Sequence, residues 1–132
     1  MTYLLTGGRS GISISVTDIN AMEPLTPAVF HILLALADGE RHGYAIMQDV
    51  AAASANTFRM GPGTLYGTLK RLLAADLVAE AGEREDPDMN DERRRYYSIT
   101  PNGRQAVISE AKRLESLVRI ARKKSLLGLA AR

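Results

Sequence analysis

Residues 61–78, GPGTLYGTLKRLLAADLV, decide the fold of this 132-residue chain, because they contain a helix and the start of a strand. The leucines at positions 65, 69, 72 and 73 recur at the spacing of one helical face, which predicts a helix over about Pro62 to Ala75. Proline at the first position suits a helix start, since its missing N–H is not needed there. The apolar residues Leu77 to Ala81 then predict a short strand.

Three glycines followed by a Lys-Arg pair raise the question of a phosphate-binding loop. A dinucleotide fingerprint is G-x-G-x-x-G after a strand, whereas Gly61, Gly63 and Gly67 are spaced G-x-G-x-x-x-G and follow a helix. A P-loop ends in Gly-Lys-Ser/Thr, whereas Lys70 lies between a leucine and Arg71. The spacing therefore excludes both kinds of nucleotide-binding loop.

The face of this helix opposite the leucines carries glycine where alanine would be more stable by about 1 kcal/mol per residue. Without a Cβ, the helix backbone can lie close to another surface, and Lys, Arg, Thr and Tyr side chains reach phosphates and base edges of DNA. The helix start near Gly61-Pro62 also offers backbone N–H groups to a phosphate. The candidate DNA contacts on this helix are Gly63, Thr64, Tyr66, Gly67, Thr68, Lys70 and Arg71. Taken alone, the helix fits a solvated face with ordinary cations equally well.

The remaining elements are predicted around this helix. Thr26-Pro27 starts a first helix that Asp38-Gly39 stops, and a second helix is expected from about Gly43 to Ser54. A second strand, Arg93 to Thr100, makes a hairpin with the first around the polar loop EREDPDMNDE. Thr100-Pro101 starts a long last helix that reaches about Leu127.

This order predicts a mainly α fold with a small β-hairpin, a winged helix-turn-helix with a long C-terminal dimerisation helix. We divide the chain into 1–21, a flexible N-terminal arm or extension; 22–100, the winged helix-turn-helix; and 101–132, the dimerisation helix. The first segment is rich in Gly, Ser and Thr, and Met22 is an alternative start of the protein.

Composition excludes several classes of function. The chain has no cysteine and only His31 and His42, which argues against disulfides, thiol chemistry and a zinc site of the usual Cys/His type. We see no catalytic constellation and predict no enzyme activity, no cofactor and no metal. No apolar run spans a membrane and no signal peptide is visible, so a cytoplasmic protein is expected. His31 is expected to pack in the fold, and His42 to cap the second helix.

The second strand of the hairpin begins with Arg93, Arg94 and Arg95. Arg93 and Arg94 are candidate phosphate contacts beside the glycine-containing helix. The alternative is pairing with nearby acids, namely Glu83, Glu85, Asp86, Asp88, Asp91 and Glu92. Because those acids would repel DNA, we expect the strand and not the loop tip to approach the backbone.

The last helix carries an apolar stripe in steps of four and three, the seam of a coiled coil. A small domain does not need so long a stripe for its own core, so a symmetric homodimer is expected. The candidate dimer contacts are Val107, Ala111, Leu114, Leu117, Val118 and Ala121.

Three blocks together resemble the PadR-like transcriptional regulators, named for the phenolic acid decarboxylase repressor. They are RHGYAIMQDV at 41–50, GPGTLYGTLKRLLAADLV at 61–78 and RRRYYSITPNGRQAV at 93–107. The resemblance runs from about Leu25 to the end, and the length of the chain places it with the shorter members, which have a single C-terminal helix. The acidic hairpin loop and residues 1–21 depart from the family pattern.

The resemblance implies a dimeric winged helix-turn-helix protein that binds DNA, usually as a repressor. Residues 61–75 would be the recognition helix and 77–100 the wing, the last helix would pair two subunits, and Tyr44 would touch phosphate. We therefore expect a sequence-specific regulator that binds an inverted repeat of double-stranded DNA, with release by a small-molecule effector resting on family analogy alone. The alternatives are a protein-interaction module and a nonspecific architectural DNA binder.

Overall fold

In the computed structural model, which describes residues 24–85 and 93–128, helices come first, a hairpin follows and a long helix ends the chain. The described elements are α1 (Pro27–Leu36), β1 (Arg41–His42), α2 (Gly43–Ala53), α3 (Pro62–Ala74), β2 (Val78–Glu85), β3 (Arg93–Ile99) and α4 (Pro101–Lys123). The prediction of a mainly helical fold with a small hairpin is confirmed. The predicted arm, residues 1–21, lies outside the described residues.

Three helices begin with a side-chain cap, as expected from their sequences. The Thr26 hydroxyl accepts from the Val29 N–H at 3.2 Å, and the Thr100 hydroxyl accepts from the Gly103 N–H at 2.9 Å. His42 caps α2 through Nδ1, which accepts from the Ala45 N–H at 3.2 Å. These caps satisfy backbone donors that would otherwise lack a partner in the first turn.

The sheet is larger than the predicted hairpin. Its strand order is β1-β3-β2, all antiparallel, because the two-residue strand before α2 pairs with the outer edge of β3. So short a strand gives no periodic signal, and it was not predicted. The strand β2 also runs to Glu85, past the predicted end at Ala81, because Gly82 takes a φ of +94° and the register shifts between Glu80 and Glu83. The bulge lets charged residues that we had assigned to the loop continue the strand.

The hydrophobic core lies between α1, α2, α3, the sheet and the first turns of α4. Its fully buried large side chains include Ile32, Leu33, Leu36, Ile46, Val50, Leu65, Leu69 and Val78. His31 packs beside this core with its ring stacked on Phe58 at 4.9 Å between centroids, which confirms it as a packing residue.

The start of α4 is joined tightly to the end of α3. Asp76, in the left-handed conformation at the end of α3, accepts from the Thr100 hydroxyl at 2.7 Å through its carbonyl and from the Asn102 amide at 2.9 Å through its carboxylate. Gly103 lies against the Leu77 carbonyl, so closely that a Cβ there would overlap it. The glycine therefore lets the last helix approach the backbone between α3 and β2.

The last helix ends earlier than predicted, at Lys123 instead of about Leu127. Ser125 adopts a φ of +62°, and the Leu126 N–H donates to the Ala121 carbonyl at 3.0 Å, which closes the helix end as a Schellman-type turn. The apolar pattern continued past this point, so the spacing alone gave no stop signal.

Candidate nucleic-acid interface

The candidate interface is the outer face of α3. Leu65, Leu69 and Leu72 point into the core, as predicted. The opposite side is open to solvent and carries Gly63, Thr64, Tyr66, Gly67, Lys70 and Arg71. The structure therefore brings six of the seven candidate contacts on this helix to one exposed face.

Thr68 is the exception: we predicted a DNA contact, but its side chain is buried. It is only 2% exposed, because it lies three residues after Leu65 and four before Leu72 and so shares their side of the helix. The Thr68 hydroxyl is 3.4 Å from Nη2 of Arg71, at the long end of hydrogen-bond distance. Thr68 is thus unavailable to DNA directly, and its hydroxyl accepts from the guanidinium of Arg71, a candidate phosphate-binding side chain.

The glycines of α3 leave its outer surface bare. A Cβ built on Gly61, Gly63 or Gly67 would have no other atom within 4 Å. Gly61 caps α3 without a side-chain hydrogen bond, in contrast to the caps of α1, α2 and α4. Backbone and N–H groups at this end are therefore open to a close-fitting partner.

Tyr66 is held over the start of α2. Its ring and hydroxyl lie against Gly43, where an added Cβ would overlap the Tyr66 hydroxyl. Tyr66 nevertheless remains 46% exposed, so part of the ring faces outward. Gly43 was not singled out from the sequence, although the glycine of the HGY block is the signal that could have identified it.

Two other exposed side chains lie near the ends of these helices. Tyr44 follows Gly43 in α2 and is exposed, as expected for a candidate phosphate contact. Arg59, two residues before the cap of α3, is also exposed and was missed because it belongs to no helical stripe.

The arginines at the start of β3 differ in their surroundings. Arg95 pairs with Glu83 at 3.3 Å and lies 4.0 Å from Glu80, and these carboxylates raise its pKa above the ordinary value. This is the acid pairing that we weighed as the alternative to phosphate contact. Arg94 is partly buried on the other face of the strand, and the side chain of Arg93 is not among those described.

The hairpin is braced against the rest of the domain by Arg84. Its guanidinium lies 4.0 Å from the ring centre of Tyr96 and 2.8 Å from the Glu40 carboxylate. Arg84 also faces Arg94 across the β2–β3 ladder. Asp86, Asp88, Asp91 and Glu92, which we expected near these arginines, lie outside the described residues.

The candidate dimer surface is the distal part of α4. Leu117, Val118 and Ile120 are 51%, 42% and 49% exposed. Ala111 is also exposed, whereas Leu114 and Ala121 are partly covered. Val107 is a correction: it is only 6% exposed and belongs to the core of its own domain, so an apolar seam can begin only after it.

Other kinds of site find little support. Across residues 24–85 and 93–128, no cluster of His, Cys, Asp and Glu is arranged to hold a metal ion. No helix in the same ranges is long and apolar enough to cross a membrane. A cavity of about 280 Å³ lies between α1 and α2, lined by His31, Leu34, Ala35, Asp38, Arg41, Asp49, Ala52 and Ala53. None of these residues belongs to α3, so the cavity is separate from the exposed helix face.

Comparison with known proteins places this arrangement in a family. The profile of the Transcriptional regulator PadR-like family matches residues 32–109, from the middle of α1 into α4. The chain belongs to the PadR-like family. This is a family of transcriptional regulators and not of enzymes, which agrees with the sequence analysis.

Relatives in sequence support the assignment. A transcriptional regulator of Mycobacterium tuberculosis is 39% identical over 89 residues, which cover 67% of this chain and 77% of that protein. An uncharacterized 37.1 kDa protein of a Streptomyces fradiae transposon is 42% identical over 80 residues. That match covers 61% of this chain but only 21% of the transposon protein.

Solved structures of the PadR family share the winged helix fold. A PadR family regulator from Clostridium difficile superposes with a TM-score of 0.61 at 19% identity, covering 74% of this chain and 97% of its own. Bacillus subtilis PadR, solved in complex with operator DNA, gives a TM-score of 0.54 at 20% identity over 64% of this chain and 45% of its own. The winged helix-turn-helix prediction is thereby confirmed.

Proposed function

We propose that this protein is a homodimeric transcriptional regulator that binds double-stranded operator DNA through the outer face of α3. The observation that carries the proposal is the combination on this face of bare glycine backbone with exposed Thr64, Tyr66, Lys70 and Arg71. A helix fits the major groove, where such side chains reach base edges and phosphates. The operator complex of Bacillus subtilis PadR supports the same class of partner.

The glycines explain how the helix would fit. An alanine at Gly67 would be more favourable for the helix by about 1 kcal/mol, and the space around it is empty. Among the described residues, no contact requires a glycine at this exposed position. A partner that comes close to the helix backbone would require one. Lys70 and Arg71, one turn later, would then contact the phosphates that border the groove.

Phosphate contacts from outside α3 would fix the orientation on the duplex. Tyr44 is exposed at the start of α2, close in sequence to Gly43, on which Tyr66 rests. Arg93 and Arg94 would contribute from the first residues of β3. Arg95 is a weaker candidate for this role, because it already pairs with Glu83 at 3.3 Å.

The homodimer would form through the distal half of α4. Its exposed Leu117, Val118 and Ile120 give one helix an apolar surface with no partner among the described residues. A second copy would cover Ala111, Leu114, Leu117, Val118 and Ala121 of each subunit. Two α3 helices related by the dyad would then enter successive major grooves about 34 Å apart and read an inverted repeat.

Repression would follow from occupying a promoter, since a bound dimer blocks polymerase access. Release by a small molecule would require a ligand that prefers a dimer in which the two α3 helices no longer match successive grooves. This part rests on what the family resemblance implies.

A binding assay with the DNA upstream of the protein's own gene tests the proposal. Fluorescence anisotropy is measured with competitor DNA and a series of salt concentrations. Binding that resists competitor DNA and is weakened by Arg71→Ala supports the specific regulator. Equal affinity for all sequences would indicate an architectural DNA binder, and no binding to any duplex would favour a protein-interaction module.

A further inference from the structure

Glu110 is an unusual residue of α4, because its side chain is buried at the point after which most of the helix is exposed. Glu110 is 6% exposed, and it is the last buried residue of α4. Among the described residues it is the one buried acid. Since a buried carboxylate is costly unless it is paired and hydrogen bonded, its partners must matter to the structure.

Those partners belong to two different parts of the fold. Arg113, one turn further along α4, donates to both carboxylate oxygens, from Nε to Oε1 at 3.0 Å and from Nη2 to Oε2 at 2.5 Å. The backbone N–H of Leu25 also donates to Oε1, at 3.3 Å. Leu25 immediately precedes the Thr26 cap of α1, so this contact joins residues 85 positions apart.

The contact sits where α4 departs from the domain. Before it, Gly103, Ala106 and Val107 are buried, and Gly103 lies against Leu77 and Ile99. After it, most side chains up to Lys123 are exposed. The thirteen residues 111–123 extend about 20 Å at 1.5 Å per residue, so a tilt of 10° at Glu110 moves the far end by about 3.5 Å.

From this geometry we infer that Glu110 is a positioning residue that fixes the direction in which α4 leaves the DNA-binding domain. Arg113 fixes the orientation of the carboxylate by a two-pronged contact, and the oriented carboxylate holds the start of α1. In a dimer joined through the distal half of α4, that direction sets the distance between the two α3 helices. The inference rests on the proposed dimer. In that dimer, Glu110 and Arg113 would determine the spacing between the two DNA half-sites that the α3 helices bind.

A distance measurement between the two subunits tests this role. The chain has no cysteine, so a single Ala74→Cys substitution at the exposed end of α3 places one spin label in each subunit. Pulsed electron paramagnetic resonance then gives the distribution of label-to-label distances in the whole 132-residue chain. We expect a narrow distribution in the parent and at least a twofold wider one in Glu110→Gln, because glutamine presents an NH₂ group to a donor and cannot accept both bonds from Arg113.

Two further variants separate positioning from folding. Arg113→Gln changes a half-exposed side chain and should widen the distribution while the domain stays folded. Glu115→Gln, which alters the exposed Glu115–Arg119 pair at 3.9 Å, is the matched control and should leave the width unchanged. Amide exchange at Leu25 should be faster in Glu110→Gln and in Arg113→Gln than in the parent. In the Glu115→Gln control it should be unchanged.

Equal widths in the parent and in both Glu110→Gln and Arg113→Gln would overturn the positioning role and leave the dimer intact. A parent without any label-to-label coupling would overturn the dimer itself, and the positioning role with it.

Discussion

The hydroxyl of Tyr66 on α3 lies directly over the backbone of Gly43 at the start of α2. The position of the Tyr66 ring, which is nearly half exposed, therefore depends on the absence of a side chain at Gly43. This contact joins the two helices of the helix-turn-helix, and it orients a side chain that we propose to touch DNA.

Replacing Gly43 by alanine should disturb DNA binding more than stability. The new Cβ would overlap the Tyr66 hydroxyl and ring, but the tyrosine can rotate away at modest cost. We expect an unfolding free energy within about 1 kcal/mol of the parent and a clear loss of operator affinity. In a Tyr66→Ala background the Gly43→Ala change should have no further effect on affinity, so a double-mutant cycle checks the coupling. Additive losses would contradict it.

Replacing Gly67 by alanine should change stability and binding in opposite directions. The helix gains about 1 kcal/mol from the better helix former, and the added methyl group meets nothing inside the protein. The same methyl group would obstruct close approach of DNA, so we expect at least a tenfold weaker operator complex. Urea unfolding and fluorescence anisotropy measure the two effects. Ser109→Ala, on the exposed side of α4, is the control that should leave DNA affinity unchanged.

Replacing Gly103 by alanine should destabilise the fold. Its Cβ would overlap the Leu77 carbonyl and press on Ile99, and backbone atoms cannot move aside as a side chain can. Overpacking of this kind typically costs about 1–3 kcal/mol. A urea unfolding midpoint equal to that of the parent would show that the start of α4 does not need this close contact.

The sequence was sufficient for most of the fold. Two helix starts were visible because Thr26 and Thr100 are favoured caps followed by proline, and the core face of α3 was visible because its leucines keep helical spacing. The stop of α4 was not visible, since it depends on Ser125 adopting a left-handed conformation while the apolar pattern continues. The strand β1 was missed because two residues are too few to show the alternating pattern of a strand. Its pairing with β3 joins segments that are distant in sequence, so no local pattern indicates it.

The candidate site was predicted less completely. Thr68 was misplaced because a threonine at a core position resembles a polar surface residue until its neighbours are known. Val107 was assigned to the dimer seam because the apolar stripe of α4 continues past it without a break. Where the domain core ends along this stripe depends on packing, which the spacing of apolar residues does not show. The roles of Gly43 and Glu110 depend on contacts with Tyr66 and Leu25, which are distant in sequence.

The stabilising contribution of Glu110 should depend on pH in the acid range. Hydrogen bonds from Arg113 and, to a lesser extent, from the Leu25 N–H lower the pKa of Glu110 below its ordinary value of 4.5, while burial opposes them. A lowered folded-state pKa means that the contribution is complete above the unfolded value and is lost as the pH falls through the folded value. The difference in unfolding free energy between the parent and Glu110→Gln should therefore be constant near neutral pH and shrink below 4.5. Glu115→Gln, as control, should show no comparable difference, and a constant difference down to strongly acid pH would contradict the role of the charge.

The central claim is that the outer face of α3 binds DNA phosphates, and the salt dependence of binding tests it most directly. Affinity for the upstream DNA is measured from low to high salt for the parent, Arg71→Ala and the control Lys112→Ala, which removes an exposed cation from α4. Each phosphate contact contributes about 0.9 to the slope of log affinity against log salt, and a dimer has two copies of Arg71. We expect weaker binding and a slope shallower by about two in Arg71→Ala, with the control unchanged. Affinity and slope identical to the parent in Arg71→Ala would remove this face of α3 from the DNA interface.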